Sequence, residues 1–179
     1  MNIKLPLPLL TLAALGACAV DPGGREATSS AISAAGGDAC ATLGDADWTA
    51  LRDRLDSARA LLDADVAANG VTGAYAAAPG LARDSIDAAL AALDHEEAHM
   101  DSYGARNAVF YSLAYSIGLT MQAIVGQLQY SAHWASISVV YHRSAEARQV
   151  FETSLETVEL ANDIHARATR CYMNAYDPQ

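Results

Sequence analysis

Residues 47–68 have the sequence DWTALRDRLDSARALLDADVAA, and the spacing of their apolar side chains decides the predicted fold. These apolar positions recur every three or four residues, and they are Trp48, Leu51, Leu55, Ala58, Leu62 and Val66. An α-helix has about 3.6 residues per turn, so this spacing places them on one face of a helix. Asp45 or Asp47 can cap the start of the helix, and Asn69-Gly70 ends it.

Two further helices are predicted downstream of this one. The second covers residues 81–103, after a loop at 70–80, and its apolar stripe consists of Ile86, Leu90, Leu93 and Met100. The third covers residues 105–130. Gly104 either breaks these two helices apart or lies within one long rod.

The third predicted helix has an unusual composition, because no Asp, Glu, Lys or Arg occurs between Arg106 and Arg143. A helix that is apolar on all sides is buried in protein or in a membrane. Tyr, Ser, Gln and Gly interrupt the run, which favours a central bundle helix or an oligomer face. A membrane-inserting hairpin is the alternative.

The fourth helix is predicted over residues 133–175 and carries two seams with a seven-residue repeat. One seam consists of Ile137, Ser144, Phe151, Val158, His165 and Tyr172, and the other of Val140, Ala147, Ser154, Ala161, Ala168 and Ala175. Such seams are typical of bundles and coiled coils.

The cysteines favour an even number of helices. In an oxidising compartment Cys40 and Cys171 are expected to pair. They precede the first helix and end the last one, and an up-down bundle brings those ends together when the number of helices is even. We therefore expect an all-α, antiparallel four-helix bundle with a long C-terminal helix over residues 45–176, behind a flexible N-terminal tether.

Composition limits the classes of function. The chain has 179 residues, which is typical of one domain, with 52% hydrophobic residues and a formal net charge of −10. Lys4 is the only lysine. Such an acidic chain repels phosphate backbones, so we expect no nucleic-acid partner.

The N-terminus has the features of a bacterial secretion signal. A short basic start containing Lys4 is followed by an apolar stretch at residues 5–15, which is too short to span a membrane. The sequence Leu15-Gly16-Ala17-Cys18 then resembles the lipobox of bacterial lipoproteins. The alternative is an ordinary signal peptide with a chance cysteine.

The resemblance to lipoproteins implies a signal peptide at residues 1–17 and lipidation of Cys18. It also implies residence in the outer membrane, facing the periplasm, because Ala19 stands where an aspartate would retain the protein in the inner membrane. Residues 18–44 then form the lipidated cysteine and a tether rich in Gly, Ser and Ala.

A possible metal site lies in the second helix, where His95-Glu96-Glu97-Ala98-His99 matches the zinc-protease pattern H-E-x-x-H. His95, Glu96 and His99 would be its zinc-site residues, and Glu96 with His99 also has the E-x-x-H spacing of di-iron bundles. With ~100° per residue, however, both histidines point away from the apolar stripe. Solvated histidines on an outer face are the alternative.

The same helical wheel places Glu97 within the apolar stripe, and His165 lies on a seam of the fourth helix. We expect these two side chains to form a buried polar pair, since a desolvated carboxylate needs a partner. Such a pair is a candidate metal or proton site, and a structural ion pair, or partly exposed residues, is the alternative.

Aromatic residues cluster along the third helix and the following turn. Tyr111, Tyr115, Tyr130 and Trp134 are candidate interface residues, since Tyr and Trp favour protein interfaces. Ordinary core packing is the alternative.

The leading functional prediction is a non-enzymatic envelope lipoprotein, whose helical module contacts another envelope protein or a second copy and which needs no cofactor. One alternative is a metal-binding or zinc-dependent hydrolytic protein that uses the HEEAH segment. The second is a membrane-inserting toxin or immunity-type protein.

Overall fold

The computed structural model describes residues 43–70, 72–102 and 111–176, with side chains in the last range described for 113–173. These residues form four helices and no strand: α1 (Asp45–Asn69), α2 (Ala78–Ser102), α3 (Tyr111–His142) and α4 (Ala145–Tyr176). The all-α prediction is confirmed. The predictions for the leader, for residues 18–42 of the tether, including Cys18 and Cys40, and for Gly104 lie outside the described residues. The predicted end of the tether was wrong, because Leu43 is 2% exposed and packs in the core.

The four helices pack around one core. The main contacts are between α1 and α2, α2 and α3, α3 and α4, and α1 and α4, so the helices close into a bundle. The largest fully buried side chains in the helices are Leu51, Leu55, Leu62, Ile86, Leu93, Met100, Leu113, Ile117, Met121, Ile124 and Leu128. Burial of one such side chain contributes roughly 1.5–3 kcal/mol.

Three ion pairs show the register of α1 against α2. Residue numbers rise along α1 as they fall along α2 in three pairs, which are Arg52–Glu97 at 2.7 Å, Arg59–Asp87 at 2.8 Å and Asp63–Arg83 at 3.5 Å. Hydrogen bonding to Glu97, and then to Asp94, raises the pKa of Arg52 above its usual value.

The predicted face of α1 is confirmed except at its end. Trp48, Leu51, Leu55, Ala58 and Leu62 are buried as expected, but the next buried residue is Asp65, and Val66 is half-buried. At the start of the helix the Asp47 carboxylate accepts a hydrogen bond from the Gly44 N–H at 3.1 Å, and Gly44 is the N-cap.

The second helix begins at Ala78, whereas the sequence pattern predicted residue 81. Pro79 lies in its first turn, where a backbone N–H would have no acceptor within the helix. The fixed φ of proline is also favourable at this position. The predicted stripe on this helix is confirmed, since Ile86, Leu90, Leu93 and Met100 are all buried.

The boundary between the last two helices was predicted wrongly. The pattern placed it between residues 130 and 133, but α3 continues to His142, and Ser131, Ala132 and Ala135 are buried inside it. The chain turns at Arg143, which has a φ of 54°. The Ser144 hydroxyl then accepts a hydrogen bond from the Ala147 N–H at 3.0 Å and caps α4.

One of the two predicted seams of α4 is confirmed. Ala147, Ser154, Ala161 and Ala168 are buried, although Val140, predicted to head this seam, lies exposed on α3.

The other predicted seam of α4 is confirmed only in part, because Ser144 is buried and Val158 and Tyr172 pack half-buried against the core, but Phe151 is exposed. The second buried seam lies one position earlier and consists of Val150, Thr157, Ile164 and Cys171. Cys171 is disulfide-bonded, and its pairing with Cys40 stays a prediction.

Candidate functional site

The three predicted zinc-site residues of α2 differ widely in exposure. His95 is exposed, Glu96 is 2% exposed and His99 is half-exposed. Within the part of the chain that the structure describes, no group of three His, Cys, Asp or Glu side chains could hold a metal ion. The predicted zinc site therefore has no complete ligand set among these residues, and zinc binding stays a prediction.

Glu96 is the centre of a polar cluster between α2 and α3. The Ser116 hydroxyl donates a hydrogen bond to Oε1 at 2.7 Å, and the Thr120 hydroxyl donates one to Oε2 at 2.8 Å. His99 Nδ1 lies 3.6 Å from Oε1 and 3.4 Å from the Ser116 Oγ. Each carboxylate oxygen thus has a hydroxyl donor, which offsets the cost of burying the group.

The buried pair predicted between Glu97 and His165 was wrong, because neither side chain is fully buried and each has a different partner. Arg52 of α1 donates to Glu97 Oε2 at 2.7 Å. His165 Nδ1 donates to the backbone oxygen of Gly118 at 3.0 Å. The physical reason is that α2 lies between α1 and α3, so Glu97 falls at the α1 edge and Glu96 points toward α3.

A second buried carboxylate was not predicted. Asp65 of α1 is fully buried and accepts hydrogen bonds from Asn69 Nδ2 and from the Ser138 hydroxyl of α3, each at 2.7 Å. The sequence contained a signal for both carboxylates. Asp65 continues the seven-residue spacing of the buried Leu51 and Ala58, and Glu96 continues that of Ala82 and Ala89.

Exposed hydrophobic side chains are concentrated on the last two helices. All exposed large hydrophobic side chains of the described residues belong to α3 or α4, apart from Tyr75 in the loop between α1 and α2. We call these residues of α3 and α4 the uncharged face, and they are Tyr115, Leu119, Tyr130, Val140, Tyr141, Phe151, Leu155 and Met173.

The loop residue Tyr75 is attached to the end of this face. Its ring lies 4.1 Å from that of Tyr141, between ring centroids, and its backbone oxygen accepts a hydrogen bond from His142 Nε2 at 3.3 Å. Hydrogen bonding to the Tyr75 side chain raises the pKa of Tyr141. These contacts hold Tyr75 in a left-handed conformation, with a φ of 62°, that a non-glycine residue rarely adopts.

Two of the four predicted interface residues are well exposed on the uncharged face: Tyr115 at 56% and Tyr130 at 50%. Trp134 is half-buried and packs edge-on against Tyr130, with ring centroids 5.9 Å apart. The ring of Tyr115 lies 5.5 Å from that of Tyr172 on α4. The side chain of Tyr111 lies outside the described residues.

Charge is distributed unevenly over the bundle. Together α1 and α2 carry twelve acidic residues and four arginines, whereas α3 has no Asp, Glu, Lys or Arg. The fourth helix has five acidic residues and three arginines. Of the four described helices, α3 therefore differs from the other three in carrying no charged side chain.

Compared with known proteins, the chain matches no family model, no curated protein and no solved structure. None of the helices in the described ranges combines the length and the hydropathy that a membrane span requires.

Proposed function

We propose that this chain is an exported envelope lipoprotein, lipidated on Cys18, whose helical domain is a non-enzymatic interaction module. The anchor rests on the leader, where Leu15-Gly16-Ala17-Cys18 directly follows an apolar stretch. The absence of aspartate after Cys18 favours the outer membrane, with the domain in the periplasm. An oxidising compartment also suits the proposed Cys40–Cys171 disulfide.

The proposed domain architecture is an antiparallel four-helix bundle behind a tether. The three ion pairs between α1 and α2 support an antiparallel arrangement of these helices. Two contacts support it for α3 and α4, since Gly118 lies beside His165 and Tyr115 lies beside Tyr172. An even number of alternating helices brings Cys171 to the end of the bundle at which α1 begins.

The observation that carries the proposed function is the uncharged face. Exposed apolar side chains grouped on two packed helices are typical of interaction sites. Tyrosine is enriched in protein interfaces and charged residues are depleted at their centres, which is the composition of α3. The partner is another envelope protein or a second copy, bound through this face.

The acidic helices α1 and α2 have a different role in this proposal. Their surface remains in solvent, where like charge keeps anchored copies from associating non-specifically. The same charge disfavours nucleic acid and adsorption to anionic lipid headgroups through the protein surface. The interaction is therefore confined to one side of the bundle.

The test is site-specific photocrosslinking of the full chain in a bacterial envelope. A photoreactive residue replaces Leu119 on the uncharged face or, as a matched control, Ala88 on the exposed surface of α2. We expect discrete crosslinked species from position 119 and none from position 88. Equal or absent crosslinking at both positions would contradict the proposed interaction module. Loss of membrane association in Cys18→Ser tests the anchor separately.

A further inference from the structure

Two tyrosines from different parts of the chain form a close pair at the end of the bundle where α2 begins and α3 ends. Tyr75 lies in the loop between α1 and α2, and Tyr141 lies in the last turn of α3. Their ring centroids are 4.1 Å apart, and the ring planes are inclined by 35°. The rings are therefore closer than the roughly 4.5–7 Å at which aromatic pairs usually lie.

The hydroxyl groups of this pair also meet. Hydrogen bonding to the Tyr75 side chain raises the pKa of Tyr141, which places the two phenol oxygens side by side. Because the rings are in contact and the oxygens are adjacent, the ring carbons next to the two hydroxyls also come together. These ortho carbons are the atoms at which two oxidised phenols join.

Both rings are open to solvent. Tyr75 is 50% exposed and Tyr141 is 54% exposed. The residues on either side of Tyr75, at positions 73–74 and 76–77, are glycine or alanine and leave its ring uncovered along the chain. An oxidant can therefore reach both phenols from outside the bundle.

The backbone of Tyr75 gives an independent indication that its side chain is used. Its φ of 62° lies in the left-handed region, where a bulky residue is a genuine outlier. Glycine adopts such angles without strain, and the same loop has a glycine two positions earlier, Gly73, with a φ of 106°. Strained residues of this kind cluster at functional sites. The loop thus holds a tyrosine, at a cost, where glycine would be easier.

A backbone contact holds the pair together. His142 Nε2 donates a hydrogen bond to the Tyr75 backbone oxygen at 3.3 Å, so the loop is attached at its backbone as well as through its ring. Two attached groups react as if each were present at a high concentration around the other. The rings of Tyr115 and Tyr172, another tyrosine pair, are farther apart, with centroids separated by 5.5 Å.

We propose that Tyr75 and Tyr141 form an oxidative modification site, at which their rings are joined into a dityrosine crosslink. The oxidant is hydrogen peroxide, used by a haem peroxidase. Each phenol loses one electron and one proton, and a carbon–carbon bond then forms between the two ortho carbons. The hydrogens on these carbons move to the oxygens and restore both phenols. In total the pair loses two hydrogen atoms, which reduce one peroxide molecule to two water molecules.

The crosslink would close one end of the bundle covalently. It joins the α1–α2 loop to the end of α3 and encloses α2 in a covalent loop. Cys171, which is disulfide-bonded, lies near the far end of α4. Coupling within one chain is favoured over coupling between chains, because copies with a net charge of −10 repel one another. This inference goes beyond the proposed function and does not depend on the partner of the uncharged face.

The experiment is oxidation of the full chain with a haem peroxidase and hydrogen peroxide. Disulfides are then reduced, and the chain is cleaved after arginine, which places Tyr75 in peptide 60–83 and Tyr141 in peptide 107–143. We expect mass spectrometry to find these two peptides joined, two hydrogens lighter than their sum, in chains of monomer mass. The joined peptides should show the fluorescence of dityrosine.

Two matched variants assign the crosslink to its residues. Tyr130 is also half-exposed and lies in the same peptide as Tyr141, but it packs against Trp134. Tyr141→Phe should abolish the joined peptides, whereas Tyr130→Phe should leave their yield unchanged. Oxidation should also raise the melting temperature of the wild type, because a crosslink restricts the unfolded chain. The same treatment should not raise the melting temperature of Tyr141→Phe.

Other results would overturn the proposal. Oxidised wild-type chains without the joined peptides would do so, and so would an equal yield from both variants. Preferential joining of peptide 107–143 to peptide 171–179, which contains Tyr172, would show that the closeness of Tyr75 and Tyr141 does not direct the reaction. Products mainly of twice the monomer mass would show that coupling occurs between chains rather than within this pair.

Discussion

Arg167 of α4 donates two hydrogen bonds to the carboxylate of Asp47 in the first turn of α1, from Nη1 at 2.9 Å and from Nη2 at 2.6 Å. The two residues are 120 positions apart in the chain, and both side chains are mostly shielded from solvent. Because the same carboxylate accepts a hydrogen bond from the Gly44 N–H, one ion pair connects the start of α1 to the last helix.

The first prediction concerns this ion pair. Asp47→Asn removes the charge and one acceptor oxygen, so it should lower the free energy of unfolding near neutral pH by about 1–3 kcal/mol. Urea denaturation followed by circular dichroism measures the loss. Asp163→Asn is the matched control, because Asp163 pairs with the same arginine but is largely exposed, and it should change stability by under about 0.5 kcal/mol.

The pH dependence of this loss follows from the pKa of Asp47. Burial raises the pKa of Asp47, but hydrogen bonds from Arg167 and Gly44 and the charge of Arg167 outweigh burial, so the pKa falls below its usual 3.8. A carboxyl group whose pKa is lower in the folded state than in the unfolded state stabilises the fold at pH values above the unfolded pKa. This stabilisation is lost as the pH falls through the folded pKa. The difference between wild type and Asp47→Asn should therefore shrink below a pH of about 3.8. A difference that stays constant into acid would contradict the assignment.

The existence of the four helices and most core faces could be predicted from spacing alone. On α1, Leu51, Leu55, Ala58 and Leu62 follow one another at intervals of three or four residues, and this spacing predicts a helix with one apolar face. The turn at Arg143 was missed because apolar residues continue with helical spacing through residues 130–142. The signal that decides that boundary is local, namely a serine cap at Ser144 followed by an acidic residue in the first turn.

The buried carboxylates were missed for a different reason. A helical wheel places Glu97 nearer than Glu96 to the centre of the apolar stripe of α2. The wheel does not include the positions of the neighbouring helices, so it cannot show which of the two side chains is buried against one of them. The donors to Glu96 come from α3, and their register against α2 is a tertiary property. Seven-residue spacing from Ala82 and Ala89 identifies Glu96 as a seam position, but Ser116 and Thr120 cannot be identified as its partners before the helices are packed.

The second prediction concerns the polar cluster around Glu96. Thr120→Val keeps the shape of the side chain but removes the donor to Oε2, leaving one oxygen of a 2% exposed carboxylate without its hydroxyl donor. Because an unsatisfied buried acceptor is costly, stability should fall by about 1–3 kcal/mol. Chemical denaturation of the variant and of wild type measures the change.

A matched threonine is available as the control for this experiment. The Thr153 hydroxyl of α4 donates to the Gln149 backbone oxygen within its own helix at 2.8 Å. The Gln149 carbonyl also takes part in the backbone hydrogen bonding of α4, so loss of the Thr153 hydroxyl does not leave it unsatisfied. Thr153→Val should therefore change stability by no more than about 0.5 kcal/mol. Equal effects of the two substitutions would show that the Glu96 cluster contributes nothing beyond ordinary packing.

The third prediction concerns the turn between α3 and α4. Arg143 has a φ of 54°, in the left-handed region where a Cβ costs roughly 1–2 kcal/mol and glycine does not. Arg143→Gly should therefore raise the melting temperature, whereas Arg143→Ala keeps the Cβ and should not. The comparison separates backbone strain from loss of the exposed charge. A rise with alanine as large as that with glycine would assign the effect to charge.

The last prediction pairs two glycines for which the same substitution should have opposite effects. At Gly70, which ends α1, a Cβ would lie 2.6 Å from the backbone oxygen of Val66, and that oxygen already accepts the Gly70 N–H. Backbone atoms cannot move aside cheaply, so Gly70→Ala should destabilise the protein by about 1–3 kcal/mol. At Gly80 in the first turn of α2, a Cβ meets nothing within 4 Å, so Gly80→Ala should stabilise the protein by up to about 1 kcal/mol. Thermal unfolding of the two variants measures both changes. Shifts of the melting temperature in the same direction would show that the close approach to Val66 is not the reason for glycine at position 70.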